Sequence, residues 1–202
     1  MKWIGLTGGM GTGKSTVAGM IQTFGYSVLN ADKSAHAALM KTSSIFPEIV
    51  KLFGEKILSP DGEIDRKVLG SIVFADKFLL GKLEAITHPY IQNQIQKERE
   101  SLIRQGVEMA FYDIPLLFEK KLEKKFDRIV VVTCKKDIQI QRAMERTKLP
   151  LEEIRKRLAN QIPLEEKAKK AHYLIRNDGS LEELKMKVQD LILQLKKDLK
   201  LV

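Results

Sequence analysis

Residues 5 to 16 read GLTGGMGTGKST, and this glycine-rich stretch decides the fold class of the chain. Gly8, Gly13, Lys14 and Ser15 satisfy the pattern G-x-x-x-x-G-K-[ST]. An apolar run precedes the pattern, and apolar residues at helical spacing follow it. Between a strand and a helix, the pattern is typical of a phosphate-binding loop, in which backbone N–H groups and the helix dipole hold phosphate oxygens. A tight turn without a ligand is the alternative.

The residue types of the loop indicate how it would hold a nucleotide. Glycines let phosphate oxygens approach the backbone, Lys14 would reach the β- and γ-phosphates, and the Ser15 hydroxyl would hold a Mg²⁺ that bridges them. We therefore predict that the loop binds a polyphosphate with Mg²⁺, although the loop alone does not choose between a GTPase, a motor, a nucleotide kinase and a regulatory ATP binder. The loop residues predicted to bind the nucleotide are Gly9, Gly11, Thr12, Gly13, Lys14, Ser15 and Thr16.

Strand-like and helix-like runs alternate along the 202 residues. A helix that follows Gly13 is predicted to end at Gly25, because glycine commonly terminates helices. Near-continuous apolar strands separated by helices imply a parallel sheet that is covered on both faces. We therefore predict an α/β fold, a P-loop NTPase three-layer arrangement with a five-stranded parallel sheet. The predicted strands cover residues 2–7, 26–30, 108–113, 128–133 and 172–177.

Two segments depart from this alternation. Residues 33–105 predict a helical insertion, whose helices are broken by the turn at 59–62 and by the His88-Pro89 step. Residues 135–170 are charged and helical, with Pro150 and Pro163 as boundaries, and predict a lid.

The remaining segments form the predicted nucleotide-binding core, residues 1–32, 106–134 and 171–202. Its last part opens with a capping box, Ser180 and Glu183, and continues with apolar residues on one helix face. This pattern predicts a terminal helix that packs on the core.

Composition excludes several classes of protein. Hydrophobic residues make up 44% of the chain and charged residues 30%, which indicates a globular domain rather than a disordered one. No apolar run reaches the roughly 18 residues of a membrane helix, and the N-terminal residues lack the features of a signal peptide. Cys134 is the single cysteine, which fits a reducing compartment. We expect Cys134 to be a buried residue at a strand end and the protein to be cytoplasmic.

Positive charge is concentrated in one region. The chain has 35 basic and 26 acidic residues, and residues 120–157 alone contain 13 bases and 6 acids. A nucleic-acid surface would need stacking aromatics, but this region has only Phe126. A second interpretation is that this basic region attracts small polyphosphates. A third is that it is a solvated, lysine-rich surface without a partner, and charge alone favours this third interpretation.

The second predicted strand ends in VLNADKSAH, which places Asp32 at its carboxyl end. Ligands of α/β sheets gather at this edge, so a carboxylate there could accept the proton of an attacking hydroxyl or orient Mg²⁺. The alternative is that Asp32 caps the helix that follows. A guanine-reading N-K-x-D stretch after an apolar strand is absent, which disfavours a GTPase.

Taken together, the motifs resemble those of dephospho-CoA kinases over almost the whole chain, in number, order and spacing. The resemblance implies transfer of the γ-phosphoryl group of ATP to the ribose 3′-hydroxyl of dephospho-CoA, which gives coenzyme A and ADP in the last step of coenzyme A synthesis. The family usually has Asp where this chain has Asn30 and His172. The matching segments are GLTGGMGTGKSTVA, VLNADKSAH, DGEIDRKVL, LEAITHPYI, DIPLLFE, QRAMER, RLANQIP and IRNDG.

The resemblance implies roles at the reacting phosphate. Asp32 would be the catalytic base, with Lys14 and Arg142 as further catalytic residues. Arg142 and Arg146 are four residues apart, so they share a helix face and could neutralise the transferring phosphoryl group. The alternative is that both are ordinary surface arginines without a role in the reaction. Asp113 would bind Mg²⁺ together with Ser15, or else cap the turn at Pro115.

Further residues are implied to contact the two substrates. Asn177, like Arg146, would bind the nucleotide, with the adenine base as its target, although an Asn-Asp-Gly turn needs no ligand. His88 could contact dephospho-CoA, or it could be a helix-start residue. The residues implied to bind dephospho-CoA are Asp32, Arg66, His88, Pro115, Leu116 and Leu117.

We expect a monomer that acts on ATP and dephospho-CoA and binds neither nucleic acid nor membrane. Two other functions remain open. One is phosphoryl transfer to another small hydroxyl acceptor, such as a nucleoside monophosphate or shikimate. The other is a nucleic-acid-binding ATPase, which only the basic charge suggests.

Overall fold

The computed structural model describes residues 1–201, which form five β-strands and nine α-helices. The strands are β1 (Lys2–Gly8), β2 (Ser27–Asn30), β3 (Met109–Asp113), β4 (Arg128–Thr133) and β5 (Tyr173–Arg176). The helices are α1 (Lys14–Thr23), α2 (Ala31–Ala38), α3 (Phe46–Phe53), α4 (Arg66–Ala75), α5 (Lys77–Arg104), α6 (Lys136–Thr147), α7 (Leu151–Ala159), α8 (Leu164–Lys169) and α9 (Leu181–Asp198). Each predicted strand is confirmed to within about two residues, an ordinary uncertainty at element ends.

The strands form one sheet in the order β2-β3-β1-β4-β5. β1 is central and parallel to both β3 and β4, with Ile4 opposite Phe111 and Leu6 opposite Val130. β5 is parallel to β4. This five-stranded parallel sheet confirms the predicted α/β fold class. Because parallel strands end at the same edge, the segments that follow β1, β3 and β4 lie next to one another.

The chain divides into two compact units. The first comprises residues 1–29 and the chain from residue 102 onward, and the second comprises residues 30–101. The division of the chain into a core, an insertion at 33–105 and a separate lid at 135–170 stays a prediction. Among residues 1–201, no helix combines the length and the apolar character needed to span a bilayer.

Each unit has its own apolar core. In the first unit, the core joins the sheet to α1 and α9, and its central side chains include Ile4, Phe111, Val130, Val17 and Leu195. In the second unit, the core lies among α3, α4 and the turn between them, and consists of Ile49, Phe53, Ile57, Ile64, Leu69 and Val73.

The predicted ends of two helices are confirmed. α1 ends at Thr23, and Gly25 follows with a φ of 88°, a left-handed conformation that glycine adopts without strain. At the start of α9, the Ser180 hydroxyl accepts a hydrogen bond of 3.2 Å from the backbone N–H of Glu183. The buried side of α9 carries Leu184, Val188, Leu191, Ile192 and Leu195, as the sequence spacing predicts.

The predicted break at His88-Pro89 is wrong, because α5 runs without interruption for 28 residues with Pro89 inside it. A proline removes one backbone hydrogen bond and costs about 3 kcal/mol in a helix interior. The rest of the helix outweighs that cost, since the turns before Pro89 pack against the core of the second unit and Ile95 is buried after it. At the start of the helix, the Asp76 carboxylate accepts a hydrogen bond of 2.8 Å from the N–H of Phe78.

Candidate active site

The glycine-rich loop runs from the end of β1 at Gly8 to the start of α1 at Lys14. Two of its glycines have left-handed backbone, with φ of 81° at Gly11 and 85° at Gly13. A Cβ atom at Gly11 would collide with the carbonyl of Gln139, and one at Gly13 would collide with the side-chain amide of Asn177. Both positions therefore need glycine for the backbone conformation and for the close packing of neighbouring groups.

Two glutamine side chains hold the loop at Met10. Gln139 in α6 donates a hydrogen bond from its side-chain nitrogen to the Met10 carbonyl, at 2.8 Å. Gln161, between α7 and α8, accepts the backbone N–H of Met10 at 3.4 Å. Because α6 and the segment around Gln161 come late in the chain, the loop conformation depends on distant parts of the first unit.

A second set of contacts holds the loop at Thr12. The Thr12 hydroxyl donates to the carbonyl of Gly9 at 2.9 Å, within the loop. Asn177, which follows β5, donates a hydrogen bond from its side-chain nitrogen to the Thr12 carbonyl, also at 2.9 Å. Thr12 and Asn177 are both buried. The amide of Asn177 thus supports the loop, and its contact with an adenine base stays a prediction.

Lys14, at the start of α1, meets Asp113, at the carboxyl end of β3. The Lys14 ammonium donates a hydrogen bond to one Asp113 carboxylate oxygen and forms an ion pair with it. Both side chains are buried, which strengthens the attraction between their charges. The predicted phosphate-binding lysine and the predicted metal-binding carboxylate are therefore direct neighbours.

The donors near this ion pair suit Mg²⁺. Asp113 offers a carboxylate, and Ser15, an exposed residue in the first turn of α1, offers a hydroxyl. Within residues 1–201, no group of three or more His, Cys, Asp or Glu side chains is arranged to hold a metal ion. Mg²⁺ commonly takes only one or two protein ligands and completes its shell with water and phosphate oxygens. The oxygen donors of Ser15 and Asp113 are consistent with such a site.

Arg142 in α6 lies beside the loop. Its guanidinium donates a hydrogen bond of 2.8 Å to the backbone carbonyl of Asn177, the residue whose amide holds Thr12. Arg146, one helical turn further on, is exposed. Arg142 also faces the half-buried thiol of Cys134; burial raises the pKa of this thiol to about 11, and the positive charge of Arg142 acts in the opposite direction. The thiol is 3.8 Å from the Gly11 carbonyl.

The segment after Asp113 is held by a buried network. The Pro115 carbonyl accepts hydrogen bonds from the Thr7 hydroxyl at 3.2 Å and from the Lys167 ammonium at 3.4 Å. Lys167 also forms an ion pair of 2.7 Å with Glu119. Leu117 is fully buried, whereas Leu116 is 36% exposed. Of the predicted substrate-binding residues in this segment, Leu116 thus offers the most accessible side chain.

The predicted residues of the second unit lie on three helices. Asp32 is exposed in the first turn of α2, and the helix is capped instead by Asn30, whose side-chain oxygen accepts the N–H of Lys33 at 2.9 Å. The capping alternative for Asp32 is therefore wrong. Arg66 is the exposed first residue of α4. His88 lies inside α5, with its Nε2 atom 3.4 Å from a Glu84 carboxylate oxygen, so it is not at a helix start.

The structure brings together most of the predicted nucleotide-binding residues in the first unit. Asp32, Arg66 and His88 belong to the second unit, and the roles of all the predicted site residues stay predictions. Four supporting residues were not predicted individually: Gln139, Gln161, Glu119 and Lys167. Glu119 lies in the DIPLLFE segment and Gln161 in the RLANQIP segment, so the family motifs could have indicated these two residues. Gln139 and Lys167 lie in no predicted motif.

The family profile and the curated relatives of this chain agree on one family. The sequence profile described as dephospho-CoA kinase matches residues 2–183. The chain is 43% identical to a dephospho-CoA kinase of Anaeromyxobacter dehalogenans, over 97% of this chain and 93% of that protein. It is 44% identical to a dephospho-CoA kinase of Listeria monocytogenes, over 95% of this chain and 96% of that protein. A solved structure of dephospho-CoA kinase from Campylobacter jejuni has a TM-score of 0.73 at 34% identity, and covers 98% of this chain and 99% of its own.

Proposed function

The chain belongs to the dephospho-CoA kinase family, and we propose that it transfers the γ-phosphoryl group of ATP to the ribose 3′-hydroxyl of dephospho-CoA. The observation that carries the proposal is the glycine-rich loop, which ends in Lys14 beside Asp113 at the carboxyl edge of the sheet. Such a loop suits the phosphates of ATP, and family membership specifies the acceptor. The reaction gives coenzyme A and ADP.

The loop provides the donor side of the reaction. Its backbone N–H groups and the N-terminus of α1 bind the phosphates of ATP, and the Lys14 ammonium compensates their negative charge. Ser15 and Asp113 would hold Mg²⁺, which when bound neutralises charge on the phosphate oxygens. Because Gln139 and Asn177 already fix the loop, little reorganisation is needed when the phosphates bind.

The proposed acceptor side depends on Asp32 and on two arginines. Asp32 would take the proton from the 3′-hydroxyl as that oxygen attacks the γ-phosphorus in line with the leaving ADP. Arg142 and Arg146 would neutralise the charge of the transferring group and, as parts of a lid at 135–170, help exclude water that could replace the sugar as nucleophile. The residues proposed to bind dephospho-CoA are Asp32, Arg66, His88, Pro115, Leu116 and Leu117.

We further propose that the enzyme works as a monomer in the cytoplasm, without nucleic acid or membrane as a partner. The single cysteine, Cys134, supports a reducing compartment.

The release of ADP with different acceptors tests the function. Purified enzyme with ATP and Mg²⁺ is given dephospho-CoA, a nucleoside monophosphate, shikimate or DNA, each in a separate reaction. We expect release of ADP that depends on dephospho-CoA and formation of coenzyme A in equal amount. Strong stimulation by another acceptor or by DNA, with none by dephospho-CoA, would contradict the proposal.

Replacement of Asp32 tests the proposed base. Asp32→Asn keeps the size of the side chain but removes the proton acceptor, so kcat should fall by about 10² or more, while the affinity for ATP stays nearly unchanged. Glu48→Gln is the matched control, because Glu48 is also an exposed acid in the first turn of a helix of the second unit. An unchanged kcat in Asp32→Asn would remove Asp32 from the catalytic role.

A further inference from the structure

Lys167 is a buried lysine in a short, otherwise solvated helix. Its side chain is 0% exposed, whereas that of Lys169, two residues later in α8, is 71% exposed. Burial of an ammonium group costs free energy unless the charge is paired and its hydrogen bonds are made. The contacts of Lys167 therefore indicate what this lysine does.

Those contacts hold the two ends of one turn. The Lys167 ammonium pairs with the carboxylate of Glu119 at 2.7 Å and donates to the Pro115 carbonyl at 3.4 Å. The same carbonyl accepts the hydroxyl of Thr7 at 3.2 Å, in the strand that leads into the phosphate-binding loop. Lys167 thus ties residues 115–119 together and links them to α8.

Glu119 is the charged partner of Lys167 in this link. One carboxylate oxygen, Oε1, accepts both Lys167 and the backbone N–H of Ile162, the latter at 3.0 Å. The other oxygen, Oε2, is buried and has no hydrogen-bond partner among residues 1–201. Lys167 forms an ion pair with this carboxylate, so its ammonium group is one of the contacts that hold the turn.

We propose that Lys167 is a positioning residue for the acceptor substrate: it fixes the turn of Pro115, Leu116 and Leu117 so that this turn can bind dephospho-CoA. The inference rests on the proposed function. Lys167 acts through the Pro115 carbonyl and Glu119 and does not itself touch the substrate. A misplacement of such a turn by about 1 Å is enough to weaken binding strongly.

Lys167→Met removes the ammonium but keeps an unbranched chain. The KM for dephospho-CoA should rise about tenfold or more, as expected for the loss of a charged hydrogen bond that orders the binding turn, while the KM for ATP changes by less than about twofold. Lys169→Met is the matched control, because it removes an exposed ion pair with Glu166 from the same helix. The control should leave both constants unchanged.

A double variant separates positioning from charge compensation. In Lys167→Met/Glu119→Gln no buried charge is left unpaired, so the thermal unfolding temperature should recover toward that of the unchanged protein. The KM for dephospho-CoA should stay raised, because the donor to the Pro115 carbonyl is still missing. Recovery of that KM, parallel rises in both KM values, or failure of the double variant to fold would each overturn the positioning role.

The two proposals fail in different ways. If the unchanged enzyme releases no ADP in response to dephospho-CoA, the proposed function is wrong and the role of Lys167 falls with it. If the unchanged enzyme responds and the double variant binds dephospho-CoA normally, only the positioning role is wrong.

Discussion

Gly13 and Asn177 form one of the closest contacts between backbone and side chain at the candidate site. Gly13 is the N-terminal cap residue of α1 with a φ of 85°, and the Asn177 amide occupies the space where a Cβ atom would stand. The same amide donates to the Thr12 carbonyl. Substitution of Gly13 would therefore disturb the hydrogen bond that fixes the loop as well as strain the backbone.

Gly13→Ala and Gly25→Ala separate these two effects. Both glycines have left-handed backbone, but a Cβ at Gly25 would meet no atom within 4 Å. Gly25→Ala should lower the free energy of unfolding by about 1–2 kcal/mol through backbone strain. Gly13→Ala should cost about 1 kcal/mol more, because it displaces the Asn177 hydrogen bond, and it should raise the KM for ATP about tenfold.

Urea denaturation and steady-state kinetics measure these changes. The KM for ATP should remain unchanged in Gly25→Ala, since Gly25 follows the far end of α1. Equal losses of stability in the two variants, with equal KM values, would show that the contact with Asn177 does not hold the loop.

The sequence predicts loop residues better than the residues that support the loop. Gly13 and Lys14 stand at fixed spacing in a motif, so local pattern is enough to find them. Gln139 and Gln161 hold Met10 from 129 and 151 residues away. A glutamine at such a distance has no local signature, and only the folded chain brings it to the loop.

Helix α9 closes one face of the sheet. Its first turn is capped by Ser180, and its apolar residues recur every three or four positions along one side. The buried side packs in the same cluster as α1 and the central strands. In this helix, burial rather than residue type determines what each leucine contributes.

Leu195→Ala and Leu193→Ala test this statement within one helix. Leu195 is 0% exposed, whereas Leu193 is 59% exposed. Leu195→Ala should reduce the free energy of unfolding by about 2–5 kcal/mol, because it leaves a cavity in the core. Leu193→Ala should change it by less than about 0.5 kcal/mol. Thermal and urea unfolding measure both, and similar losses in the two variants would contradict the observed orientation of α9.

The helices and strands were predictable where the spacing of apolar residues and the residues that begin or end an element agree. The strands and the ends of α1 and α9 follow this rule. The continuous α5 does not, because the sequence rule for Pro89 describes a local cost, while continuity depends on contacts over 28 residues. Apolar side chains of α5 before Pro89 pack on the core of the second unit. Tertiary packing therefore overrides the local preference.

Among residues 1–201, the two units have apolar cores that share no residue. The core of the first unit joins the sheet to α1 and α9, and the core of the second lies among α3, α4 and nearby turns. The loop, Lys14, Asp113 and Arg142 belong to the first unit, while Asp32 belongs to the second. Separate cores allow each unit to lose its structure locally without the loss of the other.

Hydrogen exchange on Leu69→Ala and Val188→Ala tests the independence of the two cores. Leu69 is buried in the core of the second unit and Val188 in that of the first. Each substitution should destabilise its own unit by about 1–5 kcal/mol through the cavity it creates. Amides of α3 and α4 should then exchange faster in Leu69→Ala, with β1 and β4 unchanged, and Val188→Ala should give the reverse pattern. Equal acceleration throughout the chain in either variant would mean that the protein opens as a single cooperative body.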